Sequence, residues 1–365
     1  MTSYNDTTTL TMMFSTTLTT TRVAARVGGA RAMRSKKPIP GASRAVVRAV
    51  SNEDESESDD ASSTVALVTT DAEEEPTTTT MTYELRSKTP PKRFTVAEGQ
   101  LLNVATAAAP LALRLSSGLL CHGYSVKLAE DDAAKEGEYA VFSAGGRRVV
   151  ETSLVGALPR PEKPLKLYQF QGCPFCRKVR EAIVSLDLDV VVFPTPKDGP
   201  EYREFVRAEG GKAQFPYLID ENTGTKMYES DEIIAYLFET YGPGKANVDF
   251  ALNAGALTSV TAGLGMLPRL GKGSAYKPSK KPTDMKPIVF WAYEASPFCV
   301  LVAEKLCELE LPYMQRTCGR GSPKRQELFE KRGTFQVPYI EDPNTGIAMF
   351  ESADIIAYLE ETYAA

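Results

Sequence analysis

Histidine is almost absent: among 365 residues the chain holds one, His122. Nucleophile systems of the Ser-His-Asp or Cys-His kind need an imidazole base. A mixed Cys/His zinc site needs more ligands than one histidine and one CxxC supply. Clustered basic residues are missing from most of the chain as well. Up to Ala49 eight basic side chains stand against one acid, Asp6, a balance of +7; the whole chain is −5, so the remainder carries −12. Phosphate neutralisation requires clustered Lys and Arg, so an acidic body excludes nucleic acid as a partner. No secretory signal is evident, and the six cysteines therefore do not read as the disulfide framework of an extracellular fold.

The first stretch is rich in Ser, Thr, Ala and Arg and nearly free of acids. That is a transit-peptide composition, and Val47-Arg48-Ala49 resembles a stromal processing site. Residues 1–49 are expected to direct the chain to the chloroplast. The Thr-rich start favours this over the mitochondrion, which is the alternative address; a plain disordered tail is the other reading. Residues 50–82 hold ten acids and no Lys or Arg, so 50–93 is expected to be a disordered, solvated acidic linker. Residues 94–160 read as a small helical and hairpin segment. Leu101–Leu120 is apolar, and Tyr139–Phe142 and Arg147–Val150 flank Gly145-Gly146.

The rest of the chain repeats. QFPYLIDENTGTKMYESDEIIAYLFETYG (214–242) and QVPYIEDPNTGIAMFESADIIAYLEETYA (336–364) are identical at 18 of 29 positions. A period this long means duplicated domains. Each copy reads βαβ-α-ββα, an α/β arrangement of thioredoxin-like type: domain 1 over 164–243, an apolar linker over 244–285, domain 2 over 286–365. In the first copy Leu165–Phe170 and Val190–Phe193 are strands, and Val179, Ala182, Ile183 and Leu186 keep helical spacing. Glu201–Glu209 is a second helix. Tyr217–Ile219 and Lys226–Tyr228 flank an Asn-Thr-Gly turn, and Ser230 caps a last helix.

Cys173-Pro174-Phe175-Cys176 follows a strand and opens a helix, a redox context. The positive helix end stabilises a thiolate on Cys173. Cys176, one turn along, then resolves a mixed disulfide, and Pro174 suits the first helical turn. The plain alternative is a structural or zinc-binding CxxC. Phe215-Pro216 and Val337-Pro338 precede a strand in each copy, an unusual place for proline. Glu229-Ser230 and Glu351-Ser352 open the last helices, where a carboxylate binds well. The Ser hydroxyl suits the γ-glutamyl carboxylate of glutathione and the Glu its ammonium; plain helix capping is the alternative.

On these residues the first copy resembles a glutaredoxin-like N-terminal domain of the glutathione S-transferase superfamily. LYQFQGCPFCRKVR is similar to the thioredoxin-like part of membrane-associated prostaglandin E synthases of type 2. FWAYEASPFC in the second copy is similar to tau-class plant transferases. The layout as a whole resembles a plastid family of green plants and algae with tandem transferase N-terminal domains. The resemblance implies a cis proline facing the active-site sulfur. It implies glutathione held by Phe215, Pro216, Glu229 and Ser230, with Arg177 or Lys178 at its glycyl carboxylate. Transferases of this superfamily add an all-helical domain for the electrophile, and 243–286 is too short to supply one.

The second copy has Ser296-Pro297-Phe298-Cys299, so the attacking cysteine is replaced and Cys299 alone keeps sulfur. By resemblance to Ser-type transferases, Ser296 activates a bound glutathione thiolate near Val337, Pro338, Glu351 and Ser352. The other reading makes this copy a partner surface without redox chemistry. Cys318 reads as a loop cysteine and Cys307 as core; Cys121-His122 is no metal site, and none is expected elsewhere. Residues 250–268 hold no charge and approach a membrane span in length. A helix packed between the modules and membrane association, together with Leu101–Leu120, both remain open.

The expected function is a glutathione-linked thiol–disulfide oxidoreductase acting through Cys173 and Cys176 on glutathione or a thiol/disulfide protein substrate. One alternative is a non-catalytic scaffold binding glutathione, an iron–sulfur cluster or haem. Another is a glutathione-dependent isomerase or transferase.

Overall fold

A computed structural model describes residues 82–86, 95–130 and 137–365. The transit-peptide reading of 1–49 lies outside the described residues, as does most of the acidic linker. Within that linker, however, Glu84–Leu85 forms β1 and pairs in parallel with Ile347 and Ala348. This piece is strand rather than disordered linker because Glu84 N–H and Arg86 N–H find carbonyls at 2.8 Å on Gly346 and Ala348. Next come α1 (Leu101–Leu113) and a three-stranded antiparallel sheet of β2 (Ser125–Glu130), β3 (Phe142–Ala144) and β4 (Arg147–Thr152), in the order β2-β4-β3. The hairpin expected at Gly145-Gly146 is β3–β4, both glycines having the positive φ such a tight turn asks for. Strand β2 was not foreseen.

The first module runs β5 (Leu165–Gln169), α2 (Pro174–Ser185), β6 (Val190–Pro194), α3 (Tyr202–Gly210), β7 (Tyr217–Asp220), β8 (Thr225–Met227) and α4 (Ser230–Tyr241). The apolar linker holds α5 (Phe250–Asn253) and α6 (Ala256–Met266). The second module repeats the first as β9 (Ile288–Ala292), α7 (Pro297–Glu308), β10 (Tyr313–Thr317), α8 (Lys324–Arg332), β11 (Tyr339–Asp342), β12 (Ile347–Phe350) and α9 (Ser352–Tyr363). The near-continuous apolar run of β6 marks a strand covered on both faces, and it pairs in parallel with β5, Leu167 opposite Val192. In each module a buried aspartate ties sheet to last helix: Asp220 accepts from Tyr236 and Tyr241 hydroxyls, Asp342 from Tyr358 and Tyr363, all at 2.6 Å.

The modules share one nine-stranded sheet, β1-β12-β11-β9-β10-β6-β5-β7-β8. They join where β6 and β10 pair antiparallel, with Met314 opposite Val191 at the centre. Each module thus covers the other's open edge, which would otherwise present unpaired backbone groups.

The duplication extends further upstream than the copies compared above. Arg114-Leu115-Ser116-Ser117-Gly118 follows α1, and Arg269-Leu270-Gly271-Lys272-Gly273 follows α6. Arg114 pairs with Glu181 of α2 and donates to the Thr258 carbonyl (3.2 Å) and Thr261 Oγ1 (2.9 Å) on α6. Arg269 repeats this with Glu304 of α7 (2.5 Å), the Asn103 carbonyl (3.0 Å) and Thr106 Oγ1 (2.6 Å) on α1. Beyond each turn the chain makes a parallel bridge to a module, Leu120 with Arg320 and Ala275 with Lys197. Helix α1 packs on α6 and on α7 of the second module, while α6 packs on α2 of the first. The upstream helix of each repeat therefore lies across the other repeat's module. The small β2–β4 sheet belongs to the first repeat alone.

Between the modules lies a buried ion network. Glu294, in the loop before α7, takes Arg180 at 2.8 and 3.0 Å and Arg177 at 3.1 Å; Arg177 also pairs with Glu181 at 3.0 Å. Burial pushes the Glu294 carboxyl up, but Arg180 and Arg177 outweigh it and hold it below the ordinary range. Its contribution is complete above the ordinary glutamate value of about 4.3 and is lost as pH falls through the lowered native pKa. Glu294→Ala leaves the buried Arg180 guanidinium without a carboxylate and Arg177 with Glu181 alone, for which about 3–5 kcal/mol is expected. Urea unfolding at neutral pH should show that loss. In acid the variant should lack the part of the wild-type stability decline that belongs to this carboxylate.

Candidate active site

Helix α2 begins where the chain leaves β5. Cys173 is its N-cap and Pro174 its first residue, so the cysteine sulfur takes the role a Ser or Asp oxygen usually takes and accepts the Cys176 N–H at 3.2 Å. Helix-end amides favour an anion. The Cys176 thiol and amide, aided by the charge of Arg180 and the Phe175 amide, hold Cys173 below the ordinary thiol range against the opposing effect of burial. Cys176 moves the other way: burial and the neighbouring sulfur push it well up. No disulfide is present between them. One sulfur is therefore poised as a nucleophile and its neighbour as a proton-bearing partner, the division of labour a dithiol exchange centre needs.

The remaining cysteines are buried and pushed upward by burial: Cys299 and Cys307 to about 12, Cys121 and Cys318 also well above the ordinary thiol. Cys307 is core, as expected, and its sulfur accepts the Gln171 N–H at 3.4 Å across the module boundary. Cys318 lies on the loop after β10, as expected, and is buried there, in a core cluster with Trp291 and Leu328.

Phe215–Pro216 and Val337–Pro338 are both cis. The Phe215 carbonyl lies 3.9 Å from Cys173 Sγ, and the Arg203 guanidinium covers the Phe215 ring at 4.7 Å. Glu229 has φ 62° and Ser230 is the first residue of α4 rather than its capping residue, because the chain turns into the helix at Glu229. The Glu229 carboxylate accepts from Gln214 Nε2 at 2.5 Å. Two residues expected at a glycyl carboxylate have other partners: Arg177 is buried between Glu181 and Glu294, and Lys178, also buried, pairs with Asp231 and reaches Ser259 Oγ at 3.4 Å. The alternation of basic residues after CPFC showed a cationic helix start but not the acids facing it from other elements. Sequence reasoning missed the cover on the CPFC loop. A Cβ on Gly172 would lie 1.7 Å from Ser274 Oγ, and Pro174 comes within 4.0 Å of a Cβ built on Gly263. The repeated Arg-Leu turns were the signal that could have found it.

In the second module Ser296 holds the N-cap position and accepts the Cys299 N–H at 3.4 Å. Glu351 has φ 70°, its carboxylate accepts from Gln336 at 2.6 Å, and Ser352 opens α9. Here Ser296, Val337, Pro338, Glu351 and Ser352 line one cleft of about 400 Å³. Its far wall is apolar and comes from upstream: Leu111, Leu119, Tyr139 and Val141. Tyr139 is fixed there by an edge-to-face contact with Phe335 (5.1 Å) and by Arg325, which donates to its hydroxyl at 3.0 Å. Among the described residues no group of three or more His, Cys, Asp or Glu is placed to hold a metal ion. The side chains around Cys173 thus supply no ligand set of their own for an iron–sulfur cluster.

Residues 167–245 and 290–365 each match the model of the glutathione S-transferase N-terminal domain. The chain carries two glutathione S-transferase N-terminal domains of thioredoxin-like fold in tandem. Comparison with curated proteins gives no match, nor does comparison with solved structures. Both transferase-type domains keep the cis proline and the Glu-Ser helix start, and they differ at the residue that caps the first helix. In the native tandem, iodoacetamide at pH 7 should modify Cys173 and spare the other five cysteines. The pH midpoint of that modification should fall below the ordinary thiol value of about 8.5, as read by peptide mass mapping.

Proposed function

We propose that the first domain is a glutathione-linked thiol–disulfide oxidoreductase. The observation that carries this is the Cys173 sulfur, capped by the Cys176 amide and held below the ordinary thiol range beside Phe215 and the cis proline. The Cys173 thiolate attacks a glutathione mixed disulfide at the glutathione sulfur, and the substrate leaves as its thiol. The glutathionylated Cys173 is then resolved in one of two ways. A second glutathione takes the first away as oxidised glutathione, or Cys176 gives up its proton, displaces glutathione and closes the internal disulfide. Phe215, Glu229 and Ser230 are the residues that would hold the tripeptide; Arg177 and Lys178 are committed to ion pairs and are left out of this role.

Reduction of a low-molecular-weight glutathione mixed disulfide, with glutathione as reductant, tests the assignment. Cys173→Ser should lower the rate by at least about 10²-fold. Cys176→Ser should keep glutathione-dependent turnover and trap the glutathione adduct on Cys173. Undiminished activity of Cys173→Ser would refute the proposal.

The cleft beside Ser296 supports a second reading, a glutathione-dependent transferase or isomerase or a binding module in domain 2. An oxygen at the cap position cannot form a disulfide, and an apolar wall faces it. On that reading an S-alkyl glutathione binds more tightly than glutathione itself. Val141→Arg should remove the difference, about tenfold for one lost apolar contact, in isothermal titration.

A further inference from the structure

Helices α1 and α6 bury small residues and carry most of their leucines outward. On α6 the polar residues face the protein: Thr258 is buried, Thr261 takes Arg114, and Ser259 takes Lys178. The solvent side carries Leu257, Val260, Leu264 and then Leu267, a stripe of exposed residues at helical spacing. Helix α1 does the same. The Asn103 carbonyl and the Thr106 hydroxyl take Arg269 and the small residues Ala107 and Pro110 are buried, while Leu101 and Leu102 stand more than two-thirds exposed. A surface helix in water puts its large apolar residues against the core; this pair leaves most of its leucines in solvent, and the two helices lie close together, crossing where a Cβ on Gly265 would come within 3.2 Å of Pro110.

The turns after the helices add to the pattern. Leu115 and Leu270 both sit in the left-handed region, with φ of 50° and 51°. That conformation is unfavourable for leucine, and in return the side chains are put into solvent, 77% and 91% exposed. Neither leucine joins a core cluster, so the fold itself gains little from them. Two repeats that have diverged elsewhere keep the same outward leucine at the same place.

We infer that this face docks on a lipid bilayer, lying in its interface. Chemical complementarity selects this occupant. Residues 101–113 and 256–266 contain no charged side chain, and their hydrogen-bonding side chains are engaged within the chain: Thr106 and Thr261 take the buried arginines, Ser259 takes Lys178, Thr258 takes the Ala254 N–H, and Asn103 pairs with Gln100 and Lys272. A protein partner would ordinarily meet about one hydrogen bond per 100–200 Å², which this face cannot offer; hydrocarbon asks for none. Lys272 stands exposed at the rim, with its ammonium at 2.7 Å from Asn103 Oδ1, placed for a phosphate headgroup. No helix among the described residues is long and apolar enough to cross a membrane. The helices have 13 and 11 residues against the roughly 20 that a span requires, which fits a helix pair lying on the surface. Helix α2 and the CPFC loop pack directly beneath α6, so docking would bring Cys173 close to the headgroups.

The test is flotation of the full chain with vesicles of phosphatidylcholine, alone and with a minor share of phosphatidylserine. The chain should float with both. Leu264→Glu and Leu270→Glu should each lower the bound fraction about tenfold or more, the factor for one lost leucine, with thermal melting and glutathione-disulfide reduction in solution unchanged. Leu257→Trp should retain binding and shift its emission to the blue on adding vesicles; the native Trp291 is buried and should stay silent. Failure of the wild type to float overturns the inference. So does a concentration-dependent dimer, seen by light scattering, that the same two glutamate substitutions abolish, because the occupant is then a second copy.

Discussion

Strands β6 and β10 pair antiparallel at the centre of the sheet, and the placement of every functional group follows from that pairing. It turns two small modules with open edges into one sheet, and it brings the loop before α7 against α2. Glu294 in that loop then meets Arg177 and Arg180 in direct, buried ion pairs. Such a cluster holds only as a set, since any one member alone would be a buried charge. Arg180 is also among the charges that favour the Cys173 thiolate. The second domain therefore holds in place, through a carboxylate two residues ahead of its own cap position, the guanidinium whose charge favours that thiolate.

On the proposed reading, the same geometry divides the work between the duplicates. Each repeat sends its upstream helix across the other's module, so neither site is built from one repeat alone. The first repeat carries the β2–β4 insertion, and the residues just before β3, Tyr139 and Val141, wall the cleft of the second domain. The second repeat's turn after α6 lies on the CPFC loop of the first. Cysteine stayed where the loop is tightly covered, and serine stands where an apolar wall opens beside the cap. A thiolate needs amides and few competing protons, and a ligand cleft needs volume; the crossed helices let one chain meet both demands in separate domains.

Much of this was legible in the residues. The 18 identities between 214–242 and 336–364 give the duplication, and the run of β5, CPFC and α2 gives the fold and the sulfur at a helix start. Both rest on local pattern, which is what a sequence displays. The partners of Arg177 and Lys178 were not legible, because Glu294 and Asp231 arrive from distant elements. The sheet-to-sheet joint was invisible for a related reason: Val190–Pro194 reads the same whether its outer edge meets water or β10. The earlier start of each repeat was overlooked because only the Arg-Leu pair and a glycine survive in it, separated from the modules by an insertion in one copy.

The uncharged stretches at 101–113 and 250–268 show where pattern alone stops. Apolar residues at helical spacing say that a helix has two sides, and the usual expectation puts the leucines inward. What reverses it is a pair of arginines. Once Arg114 and Arg269 are buried on Glu181 and Glu304, their remaining donors must be satisfied, and the nearest acceptors are the hydroxyls and carbonyls of the crossing helices. Those helices turn their Thr side in, together with the small residues Ala107 and Ala262, and the leucines are left on the other side. The outward face is thus a consequence of two buried cations rather than of the apolar residues themselves, and replacing either arginine by an apolar side chain would free its helix to rotate its leucines toward the protein.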